Sequence, residues 1–195
     1  MVLSGTIGEA VTVLRRDGLV VYPTETIYGL GGDALSEDAV RKVYEVKRRL
    51  FSQPMSVAVS DRDMLHAIAK LDELADRFVE AFLPGPVTVV LPATSCLPRM
   101  LTGGGDTIGI RMPDHPIALR LIEELDAPIT ATSANIAGDR PPTRLDEIRI
   151  PCDCAIDGGA LPGTPSTVVD LPGRRVLREG ARAAEVAAFL REAGR

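Results

Sequence analysis

Residues 19–30 read LVVYPTETIYGL, and this stretch sets the fold class of the chain. Its first four residues are apolar or aromatic and predict a short buried strand, which Pro23 ends because proline cannot donate to a strand ladder. Two threonines and a glutamate follow, with Gly29, Gly31 and Gly32 close behind. Loops at the carboxyl ends of strands in α/β sheets are where ligands bind. The stretch therefore predicts a strand that leads into a ligand-binding loop.

Strands and helices alternate along most of the rest of the chain. Strands are predicted at residues 19–22, 55–59, 87–91, 107–111, 128–132, 167–171 and 175–177. Helices are predicted from a capping box at Thr6 to Gly18, from Ser36 to Arg49, after Asp61, and over residues 72–83, 116–125, 145–148 and 183–192. This alternation is typical of α/β proteins. We predict a single domain over residues 1–195, built around one twisted, mixed open sheet flanked by helices, with no separate C-terminal domain.

The composition is that of a globular protein with an aliphatic interior. Of 195 residues, 45% are hydrophobic, 25% are charged and only 4% are aromatic. The net charge of −5 disfavours binding of nucleic acid over a wide surface, because proteins that do this are usually basic. The sequence contains no apolar run near the ~18 residues of a membrane span and no apolar leader before the first helix. We therefore expect a cytoplasmic protein with no membrane contact.

The cysteines and histidines offer little for metal or covalent chemistry. Cys96, Cys152 and Cys154 are few and odd in number, and no histidine–cysteine cluster completes a metal site. We predict unreactive thiols in a reducing compartment. His66 falls within a predicted helix and His115 at the start of another, and no nucleophile-elbow motif accompanies them. A serine hydrolase is therefore disfavoured.

The usual nucleotide-binding motifs are absent from the sequence. Neither G-x-x-x-x-G-K-[ST] nor G-x-G-x-x-G at a helix start occurs. The glycine-rich run at residues 102–105 has no Lys-Ser or Lys-Thr after it, and we interpret it as a flexible hinge.

Polar side chains recur instead where predicted strands begin or end. The groups are Thr24-Glu25-Thr26, Lys47-Arg48-Arg49, Thr107 with Arg111, Thr132-Ser133-Ala134-Asn135, Pro165-Ser166-Thr167 and Arg178. Each group alone is more often a turn or a cap, and three basic residues in a row also suit a helix C-terminus. Together, guanidinium forks for carboxylate or phosphate and hydroxyls for an α-amino acid describe a site for ATP and a small acid. The hypothesis requires that these groups converge in space.

The same residues carry a resemblance to a known family. The matching blocks are YPTETIYGL (22–30), KRRLFSQP (47–54), PGPVTVVL (84–91), IGIRMPDHP (108–116), ITATSAN (129–135), PSTVVDL (165–171) and VLREG (176–180). In this order, over residues 5–182, they resemble the YrdC-like threonylcarbamoyl-AMP synthases, with the K-x-R and S-x-N signatures at 47–49 and 133–135. The resemblance implies an open α/β domain with a large concave cavity.

An ATP-dependent nucleotidyltransferase is the activity that the resemblance implies. L-threonine, bicarbonate or CO₂, and ATP would give threonylcarbamoyl-AMP and pyrophosphate. A partner transferase complex would then pass the threonylcarbamoyl group to the adenosine next to the anticodon of tRNAs. Mg²⁺ is expected with ATP, held by phosphates and water and not by direct side-chain ligation. A contact with tRNA or double-stranded RNA is a further expectation.

Roles for individual residues also follow from the resemblance. Those implied for L-threonine are Thr26, Arg111, Ala131 and Ser166. Those implied for ATP are Lys47, Arg49, Gln53, Thr107, Ser133, Asn135, Pro141 and Arg178. The catalytic residues among them would be Lys47, Arg49, Ser133 and Asn135. Arg111 would bind the threonine carboxylate, and Ala131 would contribute through its backbone.

The sequence departs from the family pattern at several positions of the implied site. Gln53 stands where asparagine is usual, Ala58 where many relatives have a polar residue, Ala137 where serine is common and Pro141 where some relatives have serine. These departures thin the polar lining, and they leave selectivity for threonine open.

Two alternatives remain at this point. The first is an RNA-binding module of the same fold without catalysis, which the acidic charge and the scarcity of aromatic residues disfavour. The second is an adenylating domain for a different amine or carbamoyl donor, which would differ only in the small-substrate pocket.

Overall fold

The computed structural model describes residues 5–194, so the first four residues and the last residue of the predicted domain lie outside the described part of the chain. Within that part, the α-helices are α1 (Ile7–Leu14), α2 (Glu37–Lys47), α3 (Arg62–Ile68), α4 (Glu73–Phe82), α5 (Pro116–Leu125) and α6 (Ala183–Glu192). The short helix predicted near residue 145 is a 3₁₀ turn at Leu145–Glu147. None of the described helices is long and apolar enough to cross a bilayer.

Side-chain caps fix the starts of α1 to α4. Thr6 and Glu9 form the predicted capping box: Thr6 Oγ1 accepts the N–H of Glu9 at 3.3 Å, and the Glu9 carboxylate accepts the N–H of Thr6 at 2.7 Å. Ser36, Asp61 and Asp72 each accept a backbone N–H at the starts of α2, α3 and α4. Each cap stabilises its helix by about 1 kcal/mol. Local chemistry therefore sets these boundaries.

The strands form two mixed sheets instead of the one sheet predicted. They are β1 (Val20–Tyr22), β2 (Gly29–Gly31), β3 (Val57–Ala58), β4 (Val87–Pro92), β5 (Thr107–Arg111), β6 (Ile129–Thr130), β7 (Thr132–Ser133), β8 (Cys154–Ala155), β9 (Thr167–Asp170) and β10 (Arg175–Arg178). The smaller sheet has the order β7-β2-β1-β8, and the larger sheet has the order β10-β9-β4-β5-β3-β6. Parallel and antiparallel pairs occur in both sheets, which confirms the α/β class with mixed pairing.

The predicted strand 128–132 divides between the two sheets. β6 pairs with β3 in the larger sheet, and β7 pairs with β2 in the smaller one. Ala131 lies between them, and its N–H donates to the Ser56 carbonyl at 2.7 Å. The buried Thr130 side chain accepts the N–H of Gly32 at 3.0 Å and donates to a carbonyl of β2 at 3.0 Å. These hydrogen bonds between distant segments hold the chain in place where it passes from the larger sheet to the smaller one.

Strand β2 lies inside the opening stretch of the sequence, where a ligand-binding loop was predicted and where glycines disfavour a strand. It pairs antiparallel with β1, with Gly29 opposite Tyr22. A Cβ atom at Gly29 would lie 2.8 Å from Cζ of the Tyr22 ring. The Tyr22 hydroxyl continues past this point and donates to the Thr130 carbonyl at 3.1 Å. Glycine is therefore required here by the close approach of an aromatic ring.

The interior is mainly aliphatic, as the composition predicts, and it also contains three buried tyrosines and a cluster of phenylalanines. Phe78 and Phe82 of α4 pack against Phe189 of α6, at ring-centroid distances of 5.3 Å and 5.6 Å. Helix α6 follows β10 directly and packs beside it. The aromatic cluster thus supports the edge strand that ends in Arg178.

Candidate active site

A cavity of about 630 Å³ is lined by residues of both sheets. The predicted site residues on its wall are Lys47, Arg49, Thr107, Arg111, Ala131, Ser133, Asn135, Pro141, Ser166 and Arg178. A volume of this size is typical of small-molecule sites. The structure therefore brings together groups that the sequence distributes over most of the chain.

Arg111 ends β5 and reaches the cavity from the interior, with only 8% of the residue exposed. Its Nη2 donates to Oγ1 of Thr26 at 2.7 Å and lies 2.9 Å from Oε1 of Glu25. Its Nε is buried and has no hydrogen-bond partner in the described part of the chain. One edge of the guanidinium is thus held in place, while the Nε–H can still bind an acceptor.

Ser166 links two strands to a second guanidinium. Its Oγ lies 2.9 Å from Oγ1 of Thr88 in the neighbouring strand β4 and accepts a hydrogen bond from Nη2 of Arg178 at 3.0 Å. The same nitrogen donates to the Ser166 carbonyl at 2.9 Å. Burial, and then the positive charge of Arg111, lower the pKa of Arg178. Two guanidiniums therefore lie close together at this end of the cavity.

Lys47 is the last residue of α2 and is only 2% exposed. Its ammonium donates to the carbonyls of Ser133 and Asn135 at 2.5 Å and 2.8 Å. Burial, and then the positive charge of Arg49, lower the pKa of Lys47 to about 8. Lys47 thus ties the end of α2 to the turn that carries the S-x-N residues, and it contributes a charge that is sensitive to its surroundings.

Arg49 reaches the cavity because α2 ends in a left-handed turn. Arg48 has φ 52° and is exposed at the helix C-cap. Nη2 of Arg49 then donates to the Pro54 carbonyl at 2.6 Å. The turn explains how Lys47 and Arg49 both line the cavity although the helix stops between them.

Asn135 presents a side-chain oxygen that no residue in the described part of the chain satisfies. Its Nδ2 donates to the carbonyls of Ile136 and Asp139, at 2.9 Å and 2.8 Å. These bonds fix the orientation of the amide, and Oδ1 is left buried without a partner among the described residues. An unsatisfied buried acceptor is costly, so this oxygen is suited to a ligand or an ordered water.

Two of the predicted site residues do not lie on the cavity wall. Thr26 is only 2% exposed and sits behind the wall, where its hydroxyl contacts Arg111 and Thr24. Gln53 is exposed, and its backbone carbonyl accepts a hydrogen bond from the Tyr44 hydroxyl at 2.8 Å. Sequence position alone could not separate residues on the wall from those that support it.

Other wall residues were missed by sequence reasoning. Thr88 lies in β4, where Val87 and Val89 face the core, so the period-2 alternation of this strand places Thr88 on the opposite face. That signal could have identified it. Asp170 and Arg175 form an ion pair of 2.9 Å and also line the cavity, but a pair across a hairpin carries no motif.

The cavity is cationic within an acidic molecule. Its basic wall residues are Lys47, Arg49, Arg111, Arg175 and Arg178, and its acidic ones are Asp139 and Asp170. The whole chain carries a net charge of −5. This local excess of positive charge suits an anionic ligand such as a polyphosphate.

The histidines and cysteines lie away from the cavity wall. Burial lowers the pKa of His115, while the nearby Glu25 and Asp114 act in the opposite direction. Burial raises the pKa of Cys152 to about 11 and also raises that of Cys154, which disfavours a reactive thiolate at these two positions, whereas Cys96 is exposed. Over residues 5–194, no group of three or more histidine, cysteine, aspartate or glutamate side chains is placed to hold a metal ion.

Comparison with known proteins identifies the family. The family model Sua5_yciO_yrdC, described as "Telomere recombination", matches residues 12–180. The chain belongs to the Sua5/YciO/YrdC family. Membership confirms the resemblance that the sequence blocks indicate.

Relatives within the Sua5/YciO/YrdC family include proteins named threonylcarbamoyl-AMP synthase. One from Pyrococcus abyssi (strain GE5 / Orsay) is 43% identical over 164 residues, which is 81% of this chain and 48% of the relative. One from Xanthomonas campestris pv. campestris (strain B100) is 36% identical over 179 residues, which is 87% of this chain and 95% of the relative. The chain therefore spans about half the length of the first relative and nearly all of the second.

A solved structure in the family shares the fold closely. P. abyssi Sua5 complexed with L-threonine matches with a TM-score of 0.85 and 42% identity, over 89% of this chain and 54% of that one. The overall fold of this chain is thus shared with that protein.

Proposed function

We propose that this chain catalyses the ATP-dependent synthesis of threonylcarbamoyl-AMP from L-threonine and bicarbonate or CO₂, with release of pyrophosphate. The observation that carries the proposal is the convergence of ammonium, guanidinium and hydroxyl groups on one cavity of about 630 Å³. Relatives named for this synthase activity, at 36% to 43% identity, and a Sua5 structure with L-threonine support the choice of substrates.

Threonine is placed at the end of the cavity that contains Arg111. The unpartnered Nε–H of this guanidinium would bind the carboxylate, while Nη2 is held by Thr26. The Ser166 hydroxyl, just before β9, would also hold the amino acid, and the backbone at Ala131 would complete the site. Thr26 would therefore act by orienting Arg111.

ATP is placed at the end that contains the K-x-R and S-x-N residues. Lys47 and Arg49 would meet the phosphates, and the Ser133 hydroxyl and Asn135 Oδ1 would bind phosphate- or metal-linked groups. The further residues proposed for ATP are Thr107 and Pro141 on the wall, Gln53 in the loop that holds Arg49, and Arg178, which binds Ser166 beside the proposed threonine site. No covalent nucleophile of the enzyme is required.

The proposed reaction depends on positioning and on charge stabilisation. The threonine ammonium loses a proton to solvent, and its nitrogen bonds to the carbon of CO₂ with release of a second proton, or to that of bicarbonate with loss of water, to give a carbamate. A carbamate oxygen then bonds to the α-phosphorus in line as the bond to the pyrophosphate oxygen breaks. Lys47 and Arg49 would stabilise the charge on the leaving pyrophosphate. An enclosed site would also protect the labile mixed anhydride from water.

Mg²⁺ is proposed to enter with ATP. The cavity offers the neutral, unpartnered Oδ1 of Asn135 and the carboxylate of Asp139, and the described residues form no cluster of acidic side chains around either. This donor set fits an ion held mainly by phosphate oxygens and water, with Asn135 accepting from that water. When bound, the ion would neutralise phosphate charge.

The product is proposed to serve tRNA modification in the cytoplasm. A threonylcarbamoyl-adenylate is an activated acyl donor, so a transferase complex acting on tRNA would consume it. An RNA-binding module of the same fold would instead bind tRNA or double-stranded RNA in a salt-dependent manner without consuming ATP.

Mass spectrometry of the reaction mixture tests the proposal. The protein would be incubated with ATP, Mg²⁺, bicarbonate and one of several amino acids. We expect pyrophosphate and an adenylate with the mass of threonylcarbamoyl-AMP when threonine is present, and little product with alanine or valine. RNA binding without any adenylate product would favour the binding module, and an adenylate of another amino acid would change the substrate.

A further inference from the structure

The carboxylate of Glu25 points into the protein beside the proposed threonine site. Its side chain is 17% exposed, yet both carboxylate oxygens are buried and neither has a hydrogen-bond partner in the described part of the chain. Oε1 lies 2.9 Å from Nη2 of Arg111. The contact is therefore one of charge, with poor hydrogen-bond geometry.

Glu25 is the carboxylate in direct contact with Arg111, one of the two guanidiniums at this end of the cavity. The negative charge of Glu25 also acts on Tyr22 and His115. Burial disfavours the charged form of both side chains, because burial raises the pKa of Tyr22 and lowers that of His115. Arg178 is close enough to Arg111 for their charges to interact. Two guanidiniums thus line this end of the cavity, and one buried carboxylate lies against Arg111 without itself lining the cavity.

We propose that Glu25 is a specificity-determining residue that makes this end of the cavity select a zwitterion over a simple anion. The inference rests on the proposed function and deepens it. An amino acid must place an ammonium group beside its carboxylate, and therefore near two guanidiniums. The Glu25 carboxylate offsets that repulsion and also reduces the attraction of small anions that lack an ammonium group.

Removal of the Glu25 charge separates the two classes of ligand. In Glu25→Gln, the ligand carboxylate gains attraction while the ligand ammonium gains repulsion, so the effects largely cancel for threonine. In 2,3-dihydroxybutyrate a hydroxyl replaces the ammonium, so Glu25→Gln only increases the attraction for the carboxylate and this ligand should bind more tightly. One unit charge at a few ångströms in a partly buried site changes affinity by about ten-fold or more.

Calorimetric titration of ligand-free protein with each compound provides the test. We expect wild type to bind threonine more tightly than 2,3-dihydroxybutyrate, and this ratio of Kd values to fall about ten-fold or more in Glu25→Gln. Glu25→Asp keeps the charge and should keep the preference. Glu37→Gln is the matched control, because it removes an exposed glutamate paired with Arg41 at 3.0 Å on the surface.

The outcomes distinguish the inference from a structural role and from the proposed function. Equal weakening of both ligands in Glu25→Gln would mean that the carboxylate only supports the fold, and would overturn the inference. If circular dichroism shows that Glu25→Gln is unfolded, the affinities of wild type provide the test. Equal affinity of wild type for threonine and 2,3-dihydroxybutyrate would contradict the proposed selection of a zwitterion. If wild type forms threonylcarbamoyl-AMP but the ratio of the two Kd values is the same in Glu25→Gln, the inference about Glu25 is wrong and the proposed function stands. If wild type neither binds nor consumes threonine, the inference and the proposed function are both wrong.

Discussion

Arg111 is the residue on which recognition of the amino acid depends in this account. Arg111→Ala should raise the KM for threonine by about 100-fold, because a charge-assisted contact of about 1.5–3 kcal/mol is lost. The KM for ATP should change much less. Initial-rate measurements with each substrate varied in turn would check this, and equal effects on both KM values would contradict the placement of the carboxylate.

The same substitution leaves the buried Glu25 without its charge partner, so its effect on folding must be separated from its effect on binding. Loss of one member of a buried pair costs about 3–5 kcal/mol, whereas removal of both costs less. The double variant Arg111→Met with Glu25→Gln should therefore melt closer to wild type than Arg111→Ala does. It should still show the raised KM for threonine.

Lys47 gives the proposed activity a pH dependence. The pKa of Lys47 is lowered from 10.5 to about 8, so the free enzyme loses this charge as pH rises through about 8. The value of kcat/KM for ATP should fall over the same range, since that parameter reports the free enzyme. The exposed Lys42→Met variant should keep the decline, whereas a flat wild-type profile up to pH 9.5 would contradict a phosphate contact.

The shift also affects the stability of the ligand-free protein. The folded state releases the Lys47 proton more readily than the unfolded state, so between pH 8 and 10.5 the unfolded chain binds more protons. The free energy of unfolding of wild type should therefore rise relative to that of Lys47→Met across this window. Urea titrations at several pH values would measure the difference in free energy of unfolding between wild type and Lys47→Met. A difference that falls between pH 8 and 10.5 would contradict the lowered pKa of Lys47.

At the scale of elements, the turn after α2 offers a matched pair of substitutions. Arg49 lines the cavity and binds the Pro54 carbonyl, whereas the adjacent Arg48 is exposed. Arg49→Ala should reduce threonine-dependent pyrophosphate release by about 100-fold or more, with the fold retained. Arg48→Ala should leave the rate near wild type. Similar rates for the two variants would remove Arg49 from the site.

Elements with local signals were predictable from the sequence, and those with distant partners were not. The capping side chains of Thr6, Ser36, Asp61 and Asp72 located helix starts, and β5 and α5 were predicted with the observed bounds. Strand β2 was not predicted, because its glycines disfavour a strand and are required only by the close approach of the Tyr22 ring. Strand β8 has only two residues, too few for periodicity to reveal.

At the scale of the whole molecule, the cavity should couple ligand binding to stability. ATP with threonine at about 100 times the Kd would add about 2.7 kcal/mol to the free energy of unfolding, which raises the Tm of a chain of this size by roughly 5–10 °C. Arg49→Ala should lose most of this increase. Differential scanning fluorimetry would measure it, and an equal increase in wild type and variant would place the nucleotide elsewhere.

The site as a whole was only partly predictable. Residue types at strand ends indicated an anionic ligand, and the family blocks indicated which one. The bonds from Lys47 to Ser133 and Asn135, and the contact between Arg111 and Glu25, join segments that are distant in sequence. Such contacts leave no local pattern, so they become visible only when the two sheets are in place.

The most direct test of the central claim, that one cavity joins three substrates, is a ¹³C NMR measurement of the product. The protein would receive ¹³C-bicarbonate, ¹⁵N-threonine, ATP and Mg²⁺. We expect a new ¹³C resonance that is coupled both to ¹⁵N and, through one oxygen, to ³¹P. Consumption of ATP with all of the ¹³C label remaining in bicarbonate and CO₂ would contradict it.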